Sequence, residues 1–66
     1  MNLTKLKVAI IDRGVRRNAL ADALGVSRST IYSKLDGKRE FTVGEALRMS
    51  EFLRLSREER DEIFFS

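Results

Sequence analysis

The sequence predicts an all-α fold of five short helices, and three observations predict it. Apolar residues recur at helical spacing through almost the whole chain. No run combines period-two alternation with β-branched residues, so the evidence for strands is poor. Glycines at 14, 25, 37 and 44, together with two S/T-x-x-E boxes, punctuate the chain at intervals that suit helices of two or three turns.

The first helix is expected at about residues 2–13. Leu3, Leu6 and Ile10 fall at i, i+3 and i+7 with Ala9 beside them, and Gly14 can take the left-handed conformation that stops a helix. The second, at about 17–24, presents Leu20, Ala21 and Leu24 and ends at Gly25. Ser27 is a good N-cap for a third helix at about 28–35, with Ile31 and Leu35 one turn apart on its inner side and Asp36-Gly37 as its stop. Thr42-Val43-Gly44-Glu45 and Ser56-Arg57-Glu58-Glu59 fit the capping box, in which two side chains satisfy each other's orphan backbone N–H groups. They open helices at about 43–54 and 57–64. Val43, Ala46, Leu47, Ser50 and Leu53 are expected on one inward face of the fourth; Ile63 and Phe64 are the apolar part of the fifth.

Sixty-six residues correspond to one domain, 1–66, near the lower limit for a self-sufficient core. The chain has no Cys, His, Trp or Pro. Neither a disulfide nor a Cys/His metal site can staple it, so helix packing or a partner must supply stability. Without His the usual general base is missing, and without Cys there is no thiol nucleophile. No nucleotide-binding loop is present either. A binder is therefore expected rather than an enzyme, with no cofactor, metal or small-molecule ligand. No apolar run approaches the roughly 20 residues that span a bilayer, and the first residues contain no long apolar core of a secretory signal. A cytoplasmic location, with no membrane partner, is the expectation.

The net charge of +3 hides an asymmetry. Residues 1–40 hold nine Lys/Arg against four Asp/Glu, whereas residues 41–66 hold four Arg against six Asp/Glu. Arg13, Arg16 and Arg17 form one basic group and Lys34, Lys38 and Arg39 another. Two basic groups flanking one central segment suit a polyanion.

That central segment, RNALADALGVSRSTIYSKLDGK from Arg17 to Lys38, places two short helices around Leu24-Gly25-Val26-Ser27. Ala21 is small enough for the next helix to cross closely above it. Gly25 supplies positive φ at a tight turn, where a Cβ would clash. Leu20, Leu24, Val26 and Ile31 point inward and set the crossing angle. Arg28, Ser29, Thr30, Tyr32 and Ser33 then lie on or near the exposed N-terminal part of the third helix, where they can reach base edges in a major groove.

Leu20-Ala21, Leu24-Gly25-Val26-Ser27, Ile31 and Asp36-Gly37-Lys38 resemble the lambdoid phage repressor and Cro family of helix-turn-helix regulators, also called XRE-like. The LGVSRSTIYxKLxGKxEF pattern is similar to short phage-type regulators of low-GC bacteria, which implies a bacterial chain or one encoded by a phage. The resemblance covers almost the whole chain and implies a compact five-helix repressor-like DNA-binding domain with its helix-turn-helix at about 17–36. It implies base contacts from Arg28, Ser29 and Ser33, and backbone or mixed contacts from Arg17, Thr30, Tyr32, Lys34, Lys38 and Arg39. At position 34 the family often has an apolar or aromatic residue; Lys34 can bury its stem and direct its ammonium to a phosphate. The implied partner is double-stranded DNA with a pseudo-palindromic operator, bound by a homodimer in which Phe64 and Phe65 are candidate contacts. A protein-binding module on the same fold, an antirepressor or antitoxin-like partner, is the alternative.

Overall fold

A computed structural model describes residues 1–65. The helices run in the order α1 (Leu3–Asp12), α2 (Arg17–Leu24), α3 (Arg28–Leu35), α4 (Val43–Phe52) and α5 (Arg57–Phe64), with no strand among the described residues. None of these helices is long and apolar enough to cross a membrane.

Local chemistry sets most of the boundaries. Asn2 caps α1, its side chain accepting from the Lys5 amide, so the helix begins one residue later than the apolar spacing suggests. Ser27, Thr42 and Ser56 cap α3, α4 and α5, each accepting from the backbone N–H three residues on. Both capping boxes are complete: Glu45 and Glu59 return a carboxylate to the backbone N–H of their own N-cap residue. Only α2 starts without a side-chain cap.

The first four helices stop in the same way. A left-handed residue follows the helix, its N–H and that of the next residue bonding back to carbonyls of the last turn. For α3 these are Gly37 to the Lys34 carbonyl at 3.2 Å and Lys38 to the Ser33 carbonyl at 3.0 Å. Glycine occupies the left-handed position after α1, α2 and α3, but after α4 it is Arg54, at φ 53°. This closure ends α4 at Phe52 rather than at 54.

The core collects one stripe from each helix. Leu6, Leu20, Ile31, Leu35 and Met49 are fully buried, with Leu53 and Ile63 nearly so. α2 packs against both α3 and α4, while α1 packs against α5. The face expected of α4 is rotated. Val43 is 79% and Leu47 51% exposed, whereas Glu45 and Met49 turn inward beside Ser50 and Leu53. The cause is a charge: the Glu45 carboxylate is drawn into the interior by Lys34 and by the Thr42 amide, and the helix follows. The polar Ser50 hydroxyl, also buried, donates to the Ala46 carbonyl at 2.9 Å. Among the described residues no buried side-chain polar atom lacks a hydrogen-bond partner.

Candidate nucleic-acid interface

The turn between α2 and α3 is three residues long. Gly25 sits at φ 71°, in the left-handed region that favours glycine. The Val26 amide bonds to the Ala21 carbonyl at 3.0 Å, which folds the turn back onto α2. Val26 packs against the core, and Ser27 then opens α3. With Ile31 and Leu35 fully buried on one side, the other side of α3 must face solvent.

That outward side carries the residues expected there. Arg28 and Ser29 are exposed in the first turn, and Thr30 and Ser33 are half-buried. The Ser27 hydroxyl donates to the Thr30 hydroxyl at 2.8 Å and lies 3.3 Å from that of Ser29. Three hydroxyls thus cluster at the helix start, beside Arg28. Tyr32 is 40% exposed. The Arg17 guanidinium lies over its ring, 5.0 Å from the centroid, a cation–π contact that joins the start of α2 to the middle of α3. Lys38 and Arg39 are exposed just beyond α3.

Two cations of these basic groups are paired within the protein, Arg13 at the surface and Lys34 inside it. Arg13 donates through Nε to the Leu53 carbonyl at 2.9 Å and through Nη2 to Glu59 at 2.8 Å, tying α1 to the α4–α5 turn. Lys34, expected to reach a phosphate, is 6% exposed. Its ammonium donates to Glu45 Oε1 at 2.6 Å and to the Glu40 carbonyl at 3.1 Å, and lies over the Phe41 ring. The physical reason lies in the helix period: residues 31, 34 and 35 share one face of α3, so the spacing that buries Ile31 and Leu35 buries Lys34 with them. A buried ammonium needs a counter-charge, and Glu45 is the partner that the sequence pattern alone did not single out. The same spacing could have revealed it.

The electrostatics divide the molecule. Three ion pairs form among the described residues: Lys5–Glu62, Arg13–Glu59 and Lys34–Glu45. Each joins a cation of residues 1–40 to an acid of residues 41–66. The remaining cations around the turn, Arg16, Arg17, Arg28, Lys38 and Arg39, have no acidic partner among the described residues. Burial pushes the Glu45 carboxyl up, but hydrogen bonds from Lys34 and Thr42 and the ammonium's charge outweigh it and hold the group below its ordinary value. Glu59 is also held low, first by the Ser56 amide and then by Arg13.

Phe64 packs against the core and Phe65 is 77% exposed. Met1, Val43, Leu47 and Phe65 border a shallow apolar cleft of about 170 Å³.

Neither a curated protein nor a solved structure matches the chain. The family model described as a helix-turn-helix domain matches residues 6–63, which takes in part of α1, all of α2–α4 and most of α5. With that match spread over nearly the whole chain, and with α2, the Gly25 turn and α3 arranged as described, the protein belongs to the DNA-binding helix-turn-helix domain family of the XRE-like kind.

Proposed function

We propose that the protein is a sequence-specific transcriptional regulator of repressor or Cro type, which reads double-stranded DNA by placing α3 in the major groove. One observation carries the reading: the first turn of α3 presents Arg28 and hydroxyl groups with no acid among them, flanked by cations without acidic partners. A DNA phosphate or base edge supplies the missing complement. Arg28 is assigned to base edges, since Arg paired with guanine O6 and N7 is the commonest specific contact. Ser29 and Ser33 are assigned to neighbouring base edges. Thr30 and Tyr32 take mixed contacts, and Arg17, Lys38 and Arg39 take phosphates. Lys34 is not carried into this interface.

One copy is 28 Å in its longest extent, shorter than the ~34 Å of one helical turn of duplex. This favours two copies on a pseudo-palindromic operator, with the exposed Phe65 at their contact. The same apolar cleft favours the second reading, a module that binds another protein.

Selection of bound sequences from random duplexes at two salt concentrations tests the proposal. The expected outcome is a defined half-site, repeated about one turn apart, bound with a steep salt dependence. Binding without sequence preference, or no binding at about 100 mM salt with another protein held instead, would sink it in favour of the second reading.

A further inference from the structure

We infer that the buried Lys34–Glu45 pair is a positioning device for DNA binding: it holds the α3–α4 loop so that Lys38 and Arg39 meet the phosphate backbone. The loop is fixed at three backbone points. At its start the Lys38 amide bonds to the Ser33 carbonyl. The Glu40 carbonyl accepts from the Lys34 ammonium at 3.1 Å, and the Thr42 amide donates to Glu45 Oε1 at 2.9 Å. The ion pair, 2.6 Å long, joins the second of these points to the third. Lys38 stands at the first and Arg39 between the first and second, both exposed and with no acidic partner among the described residues. Phe41, packed against the core with the ammonium over its ring, closes the far side.

Net stability is a weak reason to keep such a pair. Desolvating two charges offsets much of their attraction, and apolar residues of similar volume commonly serve as well or better. What an apolar residue at position 34 cannot do is hold a loop carbonyl and the N-terminus of the next helix at once. Two long, flexible cationic side chains contact phosphates with less loss of entropy when their backbone is already fixed.

The inference rests on the reading of Lys38 and Arg39 as phosphate contacts, and the test separates the two. The salt dependence of binding to the selected operator is measured for four forms: the unaltered chain, Lys38→Ala/Arg39→Ala, Lys34→Met/Glu45→Gln, and all four substitutions together. Gln keeps an acceptor for the Thr42 amide, and Met keeps the apolar stem. The expected result is that each pair of substitutions alone makes the slope shallower by about one to two units, at ~0.9 for each phosphate no longer neutralised. Together they should do little more than either alone, while base preference at the Arg28 position is unchanged. If Lys38→Ala/Arg39→Ala leaves the slope of the unaltered chain intact, the phosphate reading fails and takes the inference with it. If its effect recurs in full in the Lys34→Met/Glu45→Gln background, the positioning role alone is overturned. A measurement on the unaltered chain keeps the inference open to refutation if that variant does not fold. Backbone order parameters at residues 38–40 should match those of the helices, near 0.85, and values below about 0.6 would overturn it.

Discussion

α3 and α5 are both eight residues long, and both begin with a serine cap. Both open on an arginine, and their first turns then diverge. α5 begins with Arg57-Glu58-Glu59; its two acids stand where the helix dipole favours them, and Glu59 also closes the capping box and binds Arg13. α3 begins with Arg28-Ser29-Thr30: a cation at the positive end of the dipole, hydroxyls in place of a box, and no acid. The same solution was open at both places, and only α5 uses it. The difference teaches where stability was forgone. The start of α3 is left electrostatically incomplete, which suits the DNA contact proposed for it.

The largest test asks whether the two ends of the molecule are separate units. Ile63 is the only buried side chain of α5, and Ile63→Ala should cost about 2–5 kcal/mol in chemical denaturation. Hydrogen exchange should then rise first in α5 and α1, with α2 and α3 still protected. A uniform rise over all five helices would erase the contrast.

Next in size is Arg28→Ala. It should remove about 1–3 kcal/mol of discrimination at one or two base pairs of the operator and leave thermal stability unchanged or slightly raised. An unchanged base preference in competition binding would remove Arg28 from the reading set.

Thr30→Glu makes the two helix starts alike. Residue 30 is three beyond the Ser27 cap, so glutamate there completes a capping box. The free protein should gain roughly 0.3–1 kcal/mol in thermal unfolding. Binding to operator and to unrelated duplex should both weaken, because a negative charge now faces the phosphates. A variant that gains stability and binds DNA as before would mean that the missing acid has no connection with DNA.

The smallest effect is a difference in pH response. Glu45 and Glu59 titrate below their ordinary value of 4.5. The stability they contribute is therefore complete above that value and is lost as pH falls through the lowered one. In an NMR titration below pH 4.5 the Ser56 amide, which donates to the Glu59 carboxylate, should shift. The Thr30 amide, capped by a hydroxyl, should not. Equal shifts at both would contradict the assignment of the two caps.

Much of this was legible in the sequence because it is local chemistry. Ser27, Thr42, Ser56 and the glycines act within a few residues, so the five helices and both boxes could be read along the chain. The inner face of α4 could not. Val43 and Leu47 look inward by hydropathy, and only a charge 11 residues back, Lys34, explains why Glu45 and Met49 take their place. Long-range pairing also removed Lys34 and Arg13 from the set of free cations, since each acid lies in a different helix. The exposed residues of α3 were legible because burial of Ile31 and Leu35 leaves their positions little choice.

The amide of Asn2 donates to the carbonyl of Ile63 at 2.6 Å. With Lys5–Glu62 and Arg13–Glu59, it closes the first helix onto the last across nearly the whole sequence. These three contacts can form only once residue 63 has been made, so α1 reaches its final seat late in synthesis. α2, which packs on both α3 and α4, can assemble with them while the chain is still growing. The helix-turn-helix thus lies in the part that can form early, and α1 and α5 are the last to meet.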